Sequence, residues 1–258
     1  MCLLVLAWRV RADTPLLLAG NRDELYARPA APAQFWPEAP QLLAGRDLLA
    51  GGTWLGLTRD GRFAAVTNYR EARTVTPPPR SRGELARDYL LGAASAGEYV
   101  QSLPAHAADY AGFNLLCGDH DALWWYSNRG GAPRQLPPGI YGLANALLDT
   151  PWPKVQIARA ALAGLCAEGT ASTGALLDLL ADRRRHPADA DPALGLDATL
   201  AQALSAIFIE TPRYGTRCST VLRIGADGRV ELVERRHAPE RGEAQFRFPL
   251  EASRTHQE

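Results

Sequence analysis

The chain has 258 residues, 47% of them apolar, and its 28 Lys+Arg balance its 28 Asp+Glu to a formal net charge of zero. This length and apolar content suffice for a well-cored globular fold. The neutral balance, with no dense basic block, argues against a nucleic-acid binder and against a protein held electrostatically at a membrane. Cys2, Cys117, Cys166 and Cys218 form no CxxC pair, and no His-rich segment completes a metal set. We therefore expect reduced thiols in a cytoplasmic protein, with no metal and no other cofactor.

In chain order, residues 2–10 and 16–19 read as apolar strands around Arg-Ala-Asp-Thr-Pro, a hairpin. The 2–8 run is too short to span a membrane and lacks the basic start of a signal peptide. The polar cluster Gly20-Asn21-Arg22-Asp23-Glu24 follows at the end of the second strand, which brings it back beside residue 2. Residues 28–41, rich in Pro and Ala, show no period and read as a loop. Strands at 53–57 and 63–67 flank Asp60-Gly61, a hairpin turn signal, and Asn68-Tyr69-Arg70 closes that arm. After a proline-rich loop at 76–80, Ser81-Arg82-Gly83-Glu84 matches a capping box and opens a helix to about residue 94, with Leu85, Tyr89 and Leu90 on one face. A second helix is expected over 98–107.

Strands are expected at 113–117, 123–126 and 141–145. Pro151-Trp152-Pro153 marks a helix start, and helical periodicity covers 155–166 and 173–181. Residues 186–197 read as a surface loop. Strands at 219–224 and 229–235 flank Asp227-Gly228, residues 245–248 add another, and a polar tail follows Leu250. With strands at both ends, helices between them and no βαβ alternation, we expect one α+β domain over 1–250, with 251–258 as the tail. Two stacked antiparallel sheets flanked by helices, an αββα sandwich, would bury the apolar strands.

Position 2 carries the chemistry. An initiator Met before a small residue such as Cys is commonly removed. Removal would leave a first residue bearing a thiol and a free α-amino group, with pKa values of about 8.5 and about 8, so that one can deprotonate the other. A retained Met1 would mask the amine. A Cys used as nucleophile needs a nearby cation, a carboxylate to orient the amine and amide donors for the oxyanion. Arg22, Asp23, Asn68 and Asn145 are those residue types and fall at strand ends. An ordinary small apolar Cys starting a buried strand, with Asn and Asp as turn formers, would look similar.

Several ordered strings carry a resemblance: Ala19-Gly-Asn-Arg-Asp-Glu-Leu-Tyr-Ala-Arg-Pro29, Gly52-Thr-Trp-Leu-Gly-Leu57, Thr67-Asn-Tyr-Arg70, Ser81-Arg-Gly-Glu84, Gly112-Phe-Asn-Leu-Leu116, Gly142-Leu-Ala-Asn-Ala-Leu-Leu-Asp-Thr-Pro-Trp-Pro-Lys154 and Tyr214-Gly-Thr-Arg-Cys-Ser-Thr-Val221. Together they resemble the NRDE family, the transport and Golgi organisation type 2 proteins, from Met1 to about Leu222. That family is in turn similar to Cys-type N-terminal-nucleophile hydrolases such as the choloylglycine and penicillin V acylases, αββα sandwiches that cleave linear amides. The resemblance implies Cys2 as nucleophile, Arg22 and Asp23 flanking the sulfur and the amine, Asn68 and Asn145 as oxyanion donors, and Arg217 as the late arginine of the site. Asn21, Glu24, Trp54, Tyr69 and Arg70 are expected to bind substrate. The acylases read Arg-Asn-x-Asp where this chain reads Asn21-Arg22-Asp23, so the local order differs.

Two function classes follow. One is hydrolysis of a linear nonpeptide amide through a Cys2 thioester. The other is a non-catalytic carrier or chaperone of an acyl-coenzyme A, lipid or haem-type ligand, as the resemblance also implies, with Arg22 and Arg70 clasping its anionic group. Tight haem ligation is not supported, because His106, His120, His186, His237 and His256 are scattered and read as surface residues. The partner is a small molecule bearing an acyl or anionic group, and the sequence leaves the oligomeric state open.

Overall fold

The computed structural model describes residues 2–72, 78–188, 191 and 194–252. Met1, residues 76–77 of the proline-rich loop, residues 189–190 and 192–193 of the 186–197 loop, and the tail from 253 lie outside the described residues.

In chain order the strands begin with β1 (Cys2–Trp8), β2 (Leu16–Leu25), β3 (Ala30–Trp36), β4 (Ala39–Asp47), β5 (Leu55–Thr58) and β6 (Phe63–Asn68). Helices α1 (Arg82–Leu91) and α2 (Ala96–Ser102) follow, and then β7 (Phe113–Gly118), β8 (Leu123–Ser127), β9 (Arg134–Gln135) and β10 (Gly139–Leu143). Helices α3 (Pro153–Ala167), α4 (Thr173–Leu180) and α5 (Ala198–Leu204) precede β11 (Tyr214–Ile224), β12 (Arg229–Arg236) and β13 (Gly242–Pro249). All the paired strands are antiparallel. One sheet runs β10-β1-β2-β11-β12-β13 and the other β3-β4-β5-β6-β7-β8-β9.

The layers follow from strand alternation, since successive side chains point to opposite faces. In β1, Leu4, Leu6 and Trp8 enter the core between the sheets, with Leu18, Leu43, Leu57, Phe63, Leu116 and Leu222. Leu3, Val5 and Ala7 point the other way, onto Val155, Ala158 and Leu162 of α3 and Leu176, Leu177 and Leu180 of α4. The far face of the second sheet packs Ala64, Val66 and Leu115 against Leu85, Tyr89 and Leu90 of α1 and Val100 of α2. The result is the expected αββα sandwich of two stacked antiparallel sheets flanked by helices.

Several boundaries differ from expectation. The strand expected at 16–19 runs on to Leu25, so Asn21-Arg22-Asp23-Glu24 lies within β2 rather than beyond it, because β1 and β11 pair it from both sides. Residues 28–41, expected as a loop, hold β3 and the start of β4. Register shifts at Ala31/Gln34 and Phe35/Trp36 break the period-two pattern there. The helix expected at 98–107 is α2 followed by a 3-10 turn (Leu103–Asp109), and α5 forms where no helix was expected. The Ser81 capping box is present: Ser81 caps α1, and Glu84 accepts from the Ser81 N–H at 2.9 Å.

Candidate active site

Cys2 is the first residue of β1 and shares the inter-sheet face with Leu4 and Leu6. Cys2 is opposite Arg22 in β2, Arg22 is opposite Cys218 in β11, and Cys218 is opposite Arg236 in β12. Cys2, Arg22, Cys218 and Arg236 therefore form a row across four strands at the mouth between the sheets. With strands spaced about 4.8 Å apart, Cys2 and Cys218 sit about 10 Å apart at their backbones, too far for a disulfide, and all four cysteines are free. The row forms part of the lining of a cleft of about 430 Å³, which Asp23, Glu24, Trp54, Asn68, Arg82, Arg217 and Glu234 also line.

Neighbouring residues on a strand face opposite ways, which separates the parts of the Asn21-Arg22-Asp23 string. Arg22 shares the side of the Cys2 thiol. Asp23 turns toward the helix layer, buried, with Oδ1 accepting from the Thr216 hydroxyl at 2.7 Å and its backbone carbonyl accepting from the Tyr214 hydroxyl at 3.0 Å. Its backbone N–H hydrogen-bonds the Cys2 thiol. Burial raises the Asp23 carboxyl to about 6, against the opposing pull of the chain's α-amino group, then Lys154, the Thr216 hydrogen bond and Arg22.

Burial pushes the Cys2 thiol above its ordinary value and the Asp23 carboxylate adds to the rise, outweighing the chain's α-amino group, the Asp23 backbone N–H and Arg22, which favour thiolate. Arg22 acts on the thiol in the direction expected of a nearby cation, and desolvation by burial is the larger effect.

The remaining expected residues separate into cleft wall and support. Asn68, the last residue of β6, lines the cleft. Asn145 does not line it; the residue lies behind Asn68, buried, with Nδ2 donating to the Asn68 carbonyl at 3.0 Å. The Thr67 hydroxyl on the Ala144 carbonyl (2.7 Å) and Asn114 Nδ2 on the Ala146 carbonyl (2.9 Å) staple that segment to β6 and β7. Asn145 Oδ1 has no partner among the described residues. Arg217, in the bulge between Thr216 and Cys218, reaches the carbonyls of Leu25, Arg28 and Ala238. Glu24 and Trp54 line the cleft, whereas Tyr69 and Arg70 do not; Arg70 instead lies over the Trp152 ring at 4.6 Å.

Asn21 stands apart from the site expected for it. Fully buried on the helix side, its Nδ2 donates to the carbonyls of Leu180 and Ile207 at 2.9 Å each, and its Oδ1 accepts from Ser219 at 2.6 Å. It ties β2 to the end of α4 and to the segment before β11.

Sequence reasoning missed part of the cleft. Arg82 sits in the Ser-Arg-Gly-Glu string at the start of α1, lines the cleft and donates to the Gly112 carbonyl at 3.3 Å. Gly52 and Gly83 explain its placement: a Cβ on Gly52 would meet the Gly83 carbonyl carbon at 2.3 Å, so the two backbones touch, and the Thr53 N–H donates to the Gly83 carbonyl at 3.1 Å. Glu234, buried, accepts from the Ala33 N–H at 2.8 Å and hydrogen-bonds Cys218. Lys154, last in its motif string, is buried with Nζ on the Leu204 carbonyl at 3.0 Å. A charged residue closing Pro-Trp-Pro-Lys at a helix start was the available signal. Glu234 and Arg236 had none, since only the β11–β12 register brings them to the cleft.

With this geometry in hand, comparison places the chain among known proteins. The family model for Transport and Golgi organisation 2 matches residues 1–239. The chain belongs to that family. Two curated members are the Transport and Golgi organization protein 2 homologs of Bos taurus and Homo sapiens, 38% and 35% identical over 237 residues, with 85% of this chain and 86% of each relative covered. In fold the chain is also similar to the Caenorhabditis elegans N-acylethanolamine-hydrolyzing acid amidase ortholog. That match has a TM-score of 0.51 at 13% identity and covers 86% of this chain and 92% of the amidase. For this member of the Transport and Golgi organisation 2 family, no helix among the described residues is long and apolar enough to cross a membrane. No group of three or more metal-ligating side chains occurs among the described residues either.

Proposed function

We propose that this chain, once Met1 is removed, is an N-terminal-nucleophile amidohydrolase acting on a linear nonpeptide amide. The observation that carries the reading is the placement of Cys2 at the cleft mouth, with Arg22 beside the thiol and Asp23 directed to the other face of the same strand pair. In the reaction, the free amine of Cys2 takes the thiol proton and the sulfur attacks the amide carbon. Asn68, backed by Asn145, donates to the oxyanion. The tetrahedral intermediate collapses with proton transfer to the leaving nitrogen, which releases an amine and leaves a thioester. Water then cleaves the thioester to a carboxylic acid and restores the thiol. Asp23 orients the amine. The amidase named among the fold relatives supports an acyl amide as the substrate class.

The cleft wall favours an anionic group on that substrate. Arg28 is committed to Asp47 at 2.7 Å, whereas Arg22, Arg82 and Arg236, which share the wall, form no ion pair among the described residues. The same three cations support the second reading, a carrier of an acyl ligand with a carboxylate or phosphate, in which Cys2 takes no part.

Intact mass together with a panel of N-acyl amides separates the two. The expected result is a mass lacking Met1, hydrolysis by the wild type and none by Cys2→Ala, with the variant losing at most about 1–2 kcal/mol of stability. Hydrolysis undiminished in Cys2→Ala, or a mature chain that keeps Met1, would end the hydrolase reading.

A further inference from the structure

The chemistry at Cys2 leaves a second cavity, of about 560 Å³, without a role; it lies beside the turn that joins β12 to β13. Two short basic runs, Arg183-Arg184-Arg185 and Arg235-Arg236, are far apart in the sequence, and each alone reads as a solvated face. The fold brings Arg183, Arg235 and Arg236 to this one cavity, and Arg241 joins them from the turn. Backbone contacts fix the approach. The Phe208 N–H donates to the Asp182 carbonyl at 2.8 Å, and the Arg183 guanidinium lies 4.1 Å over the Phe208 ring. The same ring meets His237 edge-on with centroids 4.8 Å apart, which joins this wall to the end of β12. Across the hairpin, Arg235 is opposite Glu243 and Arg236 is opposite Gly242. A Cβ on Gly242 would collide with the Arg236 guanidinium, so the glycine makes room for that side chain.

The charges of this wall do not cancel. Arg183 pairs with Glu210 at 3.5 Å and Arg235 with Glu243 at 2.8 Å. Arg236 and Arg241 form no ion pair among the described residues, and Arg236 Nε is buried with no hydrogen-bond partner there. Burial, and after it the charges of Arg235, Arg183 and Arg241, lower His237 to about 4, so the imidazole in this wall is neutral near pH 7. Two uncompensated guanidinium groups and a buried orphan donor are costs that a bound anion offsets. We propose that this cavity binds the phosphate group of a small molecule or lipid, held by Arg236 and Arg241 with Arg183 and Arg235 beside it. A phosphate monoester carries about −1.5 to −2 charges near pH 7 and has three acceptor oxygens, enough for two guanidinium forks. A carboxylate brings a single charge and matches one fork. Tyr26 and Arg236 line both this cavity and the Cys2 cleft, so the two adjoin. Binding here needs no chemistry at Cys2 and is the same for a hydrolase and a carrier.

Two arms separate the sources of the phosphate. Calorimetric titration with glycerol 3-phosphate at low ionic strength, where screening is weak, tests a soluble ester. Sedimentation with phosphatidylcholine vesicles containing phosphatidic acid tests a lipid headgroup. Each arm compares the wild type with Arg183→Gln/Arg241→Gln, which removes two charges from the cavity. Arg229→Gln, at the start of β12, removes a charge elsewhere, and Arg82→Gln removes one from the Cys2 cleft. In the arm that binds, the affinity should fall about tenfold or more in the double variant and stay within about twofold of wild type in the other two. The Arg183 and Arg241 side chains are exposed, so the double variant should keep its fold. If it does not, Arg241→Gln decides alone, and wild-type affinity there overturns the proposal. No binding in either arm also overturns it, as does an equal loss in Arg229→Gln, the mark of net charge alone. Loss in Arg82→Gln with the double variant unchanged would put the anion in the Cys2 cleft, with the same result.

Discussion

The Thr216 hydroxyl donates to Asp23 Oδ1 across 2.7 Å, from the strand that flanks the one bearing Asp23. A bulge follows immediately: Thr216 opposes Asp23 and Cys218 opposes Arg22, which leaves Arg217 as the extra residue between them. The bulge thus delivers a hydroxyl to the helix side and a thiol to the cleft side of one strand pair, while the Arg217 side chain is free to reach the carbonyls around Leu25, Arg28 and Ala238.

Thr216→Val removes the donor and keeps the shape. A hydrogen bond to a charged group is worth about 1.5–3 kcal/mol, so its loss should raise the Asp23 pKa above about 6 by one unit or more. Asp23 is then neutral over a wider range, and the acid limb of amide hydrolysis should move to higher pH while the alkaline limb stays. A pH profile of kcat/KM checks this, and an acid limb that does not move would show that Asp23 ionisation is not what the limb reports.

Asn21→Ala should act on stability rather than on binding. The substitution leaves the carbonyls of Leu180 and Ile207 and the hydroxyl of Ser219 short of a partner in a buried place. We expect a loss of about 2–4 kcal/mol in urea denaturation, with the KM for any substrate unchanged in protein that remains folded. A raised KM with unchanged stability would return Asn21 to the cleft.

Sequence reasoning reached the sandwich and several residues that line the candidate cleft for a physical reason: both rest on local signals. The apolar runs, the Asp60-Gly61 and Asp227-Gly228 turns and the Ser81 capping box each act within a few residues, and Cys2 with Arg22 follows from closing one hairpin. Glu234 and Arg236 depend on strand pairing more than 200 residues from Cys2, which no local pattern encodes. The β3–β4 pair was hidden by its own bulges, which scramble the alternation that identifies a strand. Asn21 and Asp23 carry a subtler lesson. A polar string reads as one cluster, but the pleat sends its members to opposite faces, and only the extension of β2 to Leu25 fixes which face is which.

Gly52→Ala should disturb the cleft without touching its chemistry. The new Cβ would lie 2.3 Å from the Gly83 carbonyl carbon and 2.5 Å from its oxygen, both backbone atoms that cannot swing aside. The start of α1 must shift, and Arg82 moves with it. The expected outcome is a destabilisation of about 1–3 kcal/mol, together with weaker binding of an anionic acyl ligand. Gly83→Ala faces looser contacts, the nearest being Thr53 N at 3.2 Å, and should cost less. Equal thermal shifts for the two variants would contradict the close approach at Gly52.

His237 should impose an acid limit on stability. Asn21 Nδ2 donates to two carbonyls, so Asn21 Oδ1 can only accept, and the Ser219 hydroxyl must give it its single proton. His237 Nε2, 2.9 Å from that hydroxyl, is therefore the donor. The imidazole cannot act as a base toward Ser219, which removes a serine–histidine pair from consideration as a second nucleophile. Its ring packs edge-on against Phe208, with centroids 4.8 Å apart. Burial lowers His237 to about 4, helped by Arg235, Arg183 and Arg241. Because the folded value lies below the unfolded value of about 6.5, the fold favours the neutral ring. That contribution is fully present above about 6.5 and is lost as pH falls toward about 4. Asp23 works in the opposite sense over the same window, since its folded value of about 6 lies above its unfolded one, so the wild-type curve alone mixes the two. The difference between wild type and His237→Gln isolates the histidine. Measured by urea denaturation at pH 7, 5.5 and 4, the wild type should lose stability relative to the variant at each step downward. Parallel curves would mean that His237 protonates in the folded protein as readily as in the unfolded one.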